Sequence, residues 1–260
     1  MSKDFKTRYG SWALVAGASE GLGAAFAEAL ANRGLNLILL ARRMDKLENL
    51  AYSLKEKYKI NILFYSVDLS DYNQTKSFVS SLDVSIGLLV YNAAYAPIAF
   101  FADVEESKLS QIVDVNVKTP LLLVKLLSEQ MIRNGKGGIV LMSSLTGNQG
   151  SPKVATYAAT KAFNAILAEG LWKELKPKGI DVIASCAGAI MTPGYTNAQK
   201  GKAPGTLSPE KVAEISLKAL CNGPIVIPGT INKLARFFMG RLLPRKTAIN
   251  IMESNTKNLS

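Results

Sequence analysis

The feature that most constrains this chain is a rhythm. Short apolar, β-rich runs alternate with longer segments whose apolar residues recur three and four apart. Residues 11–16 (SWALVA), 35–40, 61–66, 86–91, 138–142, 180–185 and 224–227 read as strands. Between them, 23–32, 44–58, 108–133 and 156–175 carry the helical spacing. The strand runs are apolar throughout rather than alternating, so both faces of the sheet must be covered, as in a parallel sheet with helices on either side. The expectation is a single α/β domain built on a doubly wound parallel sheet of about seven strands. No repeat or linker interrupts it; the domain is expected over 1–230, with 231–260 as a C-terminal extension.

Composition removes several chemistries. The chain has no histidine, which excludes Ser-His-Asp and Cys-His nucleophiles and every His-containing metal site. No metal is expected. Cys186 and Cys221 sit among apolar or small residues without a C-x-x-C partner, and read as buried thiols of a reducing compartment. The N-terminal MSKDFKTRYGSW has no apolar signal-peptide core and no stretch reads as a membrane span, so a cytoplasmic location is expected. The net charge is +11, but the 31 Lys and Arg are scattered, which argues against nucleic acid and suits an anionic cofactor or substrate.

The first strand runs into Gly17-Ala-Ser19-Glu20-Gly21-Leu22-Gly23, and a helix follows at once. Gly17 permits a tight turn, Gly21 lets the backbone approach a pyrophosphate, and Gly23 allows close helix–strand packing. The helix N-terminus then faces the phosphates with free N–H groups and the positive end of its dipole. At the end of the second strand a binder of NAD needs a carboxylate for the ribose 2′-hydroxyl. Here the sequence reads Ala41-Arg42-Arg43, which removes that carboxylate and offers guanidinium donors to a 2′-phosphate. NADP(H) is the expected cofactor. Glu20 is discordant, because a carboxylate in the phosphate loop repels the cofactor unless it points away.

Tyr157-Ala-Ala-Thr-Lys161 places a phenol and an ammonium one helical turn apart on one face. A free phenol titrates near 10, and a neighbouring cation lowers that value toward a usable acid or base. The surrounding pieces occur in a telling order: the glycine loop, Asp68-Leu69 after the third strand, Asn92-Ala93-Ala94 after the fourth, Asn116, Ser143-Ser144 after the fifth, Tyr157 and Lys161, then Ala187-Gly188 and Thr192 after the sixth. From about residue 10 to 230 the chain resembles the short, single-domain branch of the short-chain dehydrogenase/reductase family, nearest its β-ketoacyl and hydroxysteroid reductase-like members. The resemblance implies a Rossmann fold and an oxidoreductase exchanging hydride between a nicotinamide and a carbonyl or secondary alcohol.

It also implies a tetrad of Asn116, Ser144, Tyr157 and Lys161. Tyr157 would protonate the carbonyl oxygen, Ser144 would hydrogen-bond it, and Lys161 would lower the tyrosine pKa and bind the nicotinamide ribose. Asn116 would hold a relay water. By the same resemblance Asp68 meets the adenine, Asn92 the adenosine ribose side and Thr192 the carboxamide. Ser19, Leu22, Leu69, Ala93, Ala94 and Gly188 would complete the cofactor surface. The chain departs from the family pattern at Ala16 (Thr), Tyr91 (Asn), Ala94 (Gly) and Ala187 (Pro).

The substrate is expected between 145–150, 95–98 and a long loop at 189–208. Tyr95, Leu145, Met191 and Tyr195 there suit an apolar ketone or 3-ketoacyl-type chain, with Lys200 and Lys202 as candidate grips for an anionic carrier. Residues 234–246 (LARFFMGRLLPRK) read as a basic amphipathic segment. It could rest on an anionic membrane, fold over the pocket or pack on another subunit, membrane contact not being favoured. The resemblance implies a homodimer or homotetramer. A non-catalytic NADP(H)-binding sensor or scaffold, and a membrane-surface lipid-handling protein, are the competing readings.

Overall fold

The computed structural model describes residues 2–198 and 203–256, and of residues 2–4, 197 and 198 the backbone alone. Seven strands form one sheet: β1 (Trp12–Ala16), β2 (Asn36–Ala41), β3 (Ile62–Ser66), β4 (Ile86–Tyr91), β5 (Gly137–Ser144), β6 (Ile180–Ala187) and β7 (Ile225–Val226). Their spatial order is β3-β2-β1-β4-β5-β6-β7, and every neighbouring pair is parallel. The chain visits β2 and β3 on one side of β1, then crosses to β4 on the other. Such a reversal leaves a crevice outside the carboxyl ends of the strands, where open α/β sheets bind ligands.

The helices are α1 (Ser2–Tyr9), α2 (Gly21–Ala31), α3 (Met44–Tyr58), α4 (Tyr72–Ser80), α5 (Glu106–Val113), α6 (Thr119–Arg133), α7 (Ala155–Leu175), α8 (Pro193–Ala198), α9 (Pro209–Ala219), α10 (Thr230–Phe237) and α11 (Arg245–Thr256). Two buried clusters explain the unbroken apolar strands. Val15, Leu37, Leu39 and Val90 pack on one face against Phe26 and Leu30 of α2, Leu47 of α3 and Val212 of α9. Leu14, Ile38, Leu40 and Leu89 pack on the other against Leu123, Leu127 and Met131 of α6 and Ala168 of α7. Successive strand residues point to opposite faces, so a sheet covered on both sides has no polar side in its strands.

The expected helix over 108–133 is three pieces. Between α5 and α6 lies one turn of π-helix, Asp114–Lys118, the widened turn that often marks a functional site. Pro120 at the start of α6 has no amide to continue the ladder, so the run restarts there. The expected loop at 189–208 contains α8, and parallel pairing of Ile190 with Leu207 pins its two ends together. The expected amphipathic segment at 234–246 is likewise divided, by a π-helical turn at Phe238–Leu242 between α10 and α11. Residue 230 marks no break in packing: Asn232 is 4% exposed, and Ala248 and Met252 of α11 are buried.

Outside the alternating pattern, α1 is fastened to the sheet by one carboxylate. Asp181 of β6, 5% exposed, accepts from Tyr9 Oη at 3.0 Å and from Arg8 Nε at 2.8 Å. Replacing Asp181 with Ala leaves the buried Tyr9 hydroxyl without its acceptor, at a cost of about 1–3 kcal/mol. Chemical denaturation of Asp181→Ala should show that loss. An unchanged unfolding midpoint would mean that the carboxylate does not anchor α1.

Candidate active site

The crevice is built by backbone knitting at the ends of β1, β2 and β4. The amides of Gly17 and Ala18 donate to Leu40 O at 2.7 and 3.1 Å, while those of Asn92 and Ala93 donate to Ala16 O at 3.0 and 2.9 Å. Gly17 has φ +82°, and a Cβ there would stand 2.7 Å from the backbone of Ala93. A Cβ on Gly23 would overlap the carbonyl oxygen of Gly17, which also accepts from Asn92 Nδ2 at 3.0 Å. This close approach starts α2 at the edge of the sheet. Among the described residues no side chain caps its N-terminus, Glu20 at the cap position making no such bond, so the amides of its first turn and its positive pole are left for a ligand.

The crevice has a volume of about 690 Å³. Following the sheet order, Ser19, Arg42, Arg43, Asp68 and Leu69 line it beyond β2 and β3. Gly17, Gly21, Leu22, Asn92, Ala93, Ala94 and Tyr95 line it beyond β1 and β4, and Tyr157, Lys161, Gly188, Thr192 and Tyr195 beyond β5 and β6. The residues expected to hold a cofactor are thus brought together, except Gly23, whose part is the packing just described. An uncapped helix N-terminus over a glycine cradle, with cations at one end, fits a dinucleotide.

Glu20 resolves its own discordance. Its carboxylate pairs with Arg43 Nη2 at 2.7 Å and with Lys46 Nζ at 2.5 Å, and these two partners, Arg43 first, hold its pKa below the usual range. Arg43 also donates to Ser19 Oγ at 3.0 Å. The Arg42 guanidinium has no hydrogen bond or ion pair among the described residues, which leaves it available beside the crevice. Asp68 is fixed by the amide and hydroxyl of Ser70, both donating to its Oδ1, at 2.9 and 2.8 Å.

Tyr157 and Lys161 lie one turn apart on α7, against the carboxyl end of β5. Thr146 Oγ1 donates to Ser144 Oγ at 2.9 Å, which leaves the Ser144 hydroxyl proton for another acceptor, and Ser144 lies near enough to Tyr157 to pull its pKa down. Ser143, rather than Ser144, is among the residues that line the crevice, and its hydroxyl ties β5 to α7 by donating to Lys161 O at 2.7 Å. Asn116, fully buried in the π-helical turn, clamps the loop after β4: its Oδ1 accepts from Tyr95 N at 2.8 Å and its Nδ2 donates to Tyr95 O at 2.9 Å. Its backbone carbonyl accepts from Asn164 Nδ2 at 3.2 Å.

Burial acts oppositely on the two reactive groups. It pushes the Tyr157 phenol up to about 12, with the Ser144 hydrogen bond pulling the other way. It brings the Lys161 ammonium down to about 8. The expected lowering of the tyrosine by the lysine is not realised in this arrangement. Lys161 Nζ donates to Met142 O at 2.9 Å and stands 5.4 Å from the centroid of the Tyr157 ring, so desolvation outweighs the attraction between them. Part of the Tyr157 surface still faces the crevice, and water there tempers the upward push.

Of the expected substrate residues, Tyr95 and Tyr195 line the crevice, whereas Leu145 and Met191 do not. Tyr195 is turned back on its own segment, its hydroxyl accepting from Ala203 N at 3.0 Å. Met191 uses its amide to hold Leu207 O at 2.9 Å, and its side chain is exposed. Lys200 and Lys202 lie outside the described residues. Gln111, Ile190 and Pro193 also line the crevice and were not singled out in the sequence. Only the pinning of 190 to 207 and the π-helical turn bring them there, and neither has a sequence signature.

Residues 11–203 match the family model described as short chain dehydrogenase. The chain belongs to that family. It is 37% identical over 180 residues to a very-long-chain 3-oxoacyl-CoA reductase of Phaeosphaeria nodorum, covering 66% of this chain and 53% of that protein. A solved 7β-hydroxysteroid dehydrogenase superposes with a TM-score of 0.89 at 27% identity, covering 95% of this chain and 98% of that one. A short-chain dehydrogenase from Sphingobium yanoikuyae in complex with NADPH gives 0.79 at 27%, covering 87% and 90%. The chain spans about half the length of the first curated relatives it matches.

Two departures from the short-chain dehydrogenase pattern have local explanations. Tyr91, 2% exposed, donates to Val115 O at 2.5 Å and so braces the π-helical turn next to Asn116. Ala187, 3% exposed, ends β6 inside the core, where a Cβ on the following Gly188 would meet Asn232 Oδ1 at 2.7 Å. Ala16 is buried in the second core cluster, and nothing in the structure explains why Ala rather than Thr stands there.

One lysine should therefore titrate far below the others. With ¹³C-methylated lysines, NMR should show a resonance with a midpoint of about 8, missing in Lys161→Met. The folded value lies below the ordinary 10.5, so the folded state binds this proton more weakly than the unfolded chain. Stability contributed by this site must then rise between pH 8 and 10.5. A full set of lysines titrating together near 10.5 would contradict the buried placement.

Proposed function

We propose that this chain is an NADPH-dependent carbonyl reductase acting on an apolar ketone or 3-ketoacyl-type substrate. The observation that carries the reading is one crevice with two kinds of end. Beyond β2 it offers Arg42, without a partner among the described residues, and a Glu20 carboxylate already paired with Arg43 and Lys46; beyond β5 it offers Tyr157 with Ser144 next to it and a buried ammonium one turn away.

Arg42, with Ser19 and Arg43, would hold the adenosine 2′-phosphate; the N-terminus of α2 would hold the pyrophosphate, and Lys161 and Asn92 the riboses. NADPH, when bound, supplies the hydride that adds to the carbonyl carbon. The protein's part is the proton and the field around it. A phenol pushed up to about 12 stays protonated throughout the physiological range, the form that reduction requires. Tyr157 gives that proton to the carbonyl oxygen, Ser144 donates to the same oxygen, and Lys161 as a cation stabilises the phenolate left behind. The Thr146–Ser144 hydrogen bond orients the serine so that its single proton is left for that oxygen.

An apolar substrate is favoured by Tyr95, Ile190 and Pro193 around the mouth, and by the names of the 3-oxoacyl-CoA reductase and hydroxysteroid dehydrogenase relatives. Self-association through the outer faces of α6 and α7, where Leu121 and Ile166 are exposed, belongs to the same proposal.

The test is NADPH consumption by the full chain against 3-ketoacyl thioesters, ketosteroids and small ketones. Turnover on at least one class is expected, and Tyr157→Phe should lower it by about 10²–10⁴-fold while leaving NADPH binding intact. Turnover that survives Tyr157→Phe would contradict the assignment of the acid. Tight NADPH binding without turnover on any class would favour the non-catalytic reading.

A further inference from the structure

Among the described residues, α10 and the π-helical turn after it are mounted with their apolar side outward. Ile231, Leu234, Phe237, Phe238 and Leu242 are 58, 53, 51, 51 and 56% exposed. Their three- and four-residue spacings gather them along one side of the segment. The residue that seats the helix on the body is polar. Asn232 donates to Gly205 O at 3.1 Å and to Pro228 O at 2.8 Å, and lies against Gly188 at the lip of the crevice. A surface helix ordinarily does the reverse, burying its apolar stripe and showing its polar residues. Adjacent half-exposed aromatic and aliphatic side chains on this scale mark an interaction surface rather than ordinary surface composition.

The charge around the strip says what covers it. Lys233, Arg236, Arg241, Arg245 and Lys246 flank it, Arg245 also donating to Asn148 O at 2.6 Å, and no Asp or Glu occurs between Glu214 and Glu253. None of these five cations has an ion-pair partner among the described residues. A second copy docked here would set five cations against five with no carboxylate from the segment to neutralise them. The strip does not fold down over the crevice either, since its side chains point to solvent. Aromatic and aliphatic side chains ringed by Lys and Arg match a boundary that is apolar within and negative at its rim.

We propose that this face docks the protein on an anionic lipid membrane. Phe237, Phe238, Leu234 and Ile231 enter the boundary between headgroups and acyl chains, and the flanking cations meet the lipid phosphates. The contact through Asn232 and Gly188 places the docked face next to the mouth of the crevice, so an apolar molecule could pass from the bilayer without crossing bulk water. The docking stands whether or not the crevice is catalytic.

Co-sedimentation of the full chain with phosphatidylcholine vesicles, with and without phosphatidylglycerol, tests this. The protein should bind the anionic vesicles and not the neutral ones, and molar salt should release it. Phe237→Asp with Phe238→Asp should weaken binding by at least about tenfold, and so should Lys233→Gln with Arg241→Gln. All four side chains are exposed, so both double variants should keep the wild-type melting temperature, which is measured alongside. Failure to bind anionic vesicles, equal binding to neutral ones, or binding indifferent to both variants would overturn the proposal. So would a dimer in sedimentation velocity that the phenylalanine variant splits, because it would assign the face to a second copy.

Discussion

Where α2 leaves the sheet, the backbone of Gly23 lies against the carbonyl oxygen of Gly17 so closely that no side chain fits between them. The same oxygen is held from β4 by Asn92. These contacts fix the start of the helix relative to the ends of β1 and β4, and so aim its uncapped N-terminus into the crevice. They also fix the loop after β4, whose next residues reach Asn116 through Tyr95. Asn116 in turn touches Thr160 of α7, the helix of Tyr157 and Lys161. One steric constraint at the glycine loop is thereby linked, in four short steps, to the placement of the proton donor.

The site also illustrates how one environment sets two groups apart. Withdrawal from water disfavours charge, which raises a phenol and lowers an ammonium. Tyr157 and Lys161 share that withdrawal, which moves them apart, the phenol up to about 12 and the ammonium down to about 8. A site of this kind holds a loaded acid beside a cation that is easily discharged. Its polar contacts are to fixed backbone, Met142 O for the lysine, and to a serine already oriented by Thr146. Little reorganisation is then needed when charge appears on the tyrosine oxygen.

Much of this was legible in the sequence, for physical reasons that also explain the remainder. The seven strands were readable because a sheet covered on both faces cannot tolerate polar residues, and the glycine loop because its backbone demands leave few alternatives. The pairing of Tyr157 with Lys161 followed from helical spacing alone. The π-helical turn at 114–118 was not legible, because its cause is tertiary: Tyr91 and Asn164 hold its carbonyls, and Pro120 interrupts the ladder beyond. The direction of the tyrosine shift was also missed, since spacing shows that a cation is near but not how dry the neighbourhood is. Glu20 looked like a fault in the phosphate loop until Arg43 and Lys46 were seen to share it. The outward mounting of α10 depends on the buried seat of Asn232, which periodicity cannot reveal.

The central claim is that the crevice takes a phosphorylated dinucleotide, with the end beyond β2 reading the 2′-phosphate. Calorimetric titration of the full chain with NADPH and with NADH tests it most directly. One site per chain is predicted, with NADPH the tighter ligand by at least about tenfold, the difference made by one or two charge-assisted contacts. Equal affinities would contradict the reading of Ala41-Arg42-Arg43, and no measurable binding of either would contradict the account of the crevice.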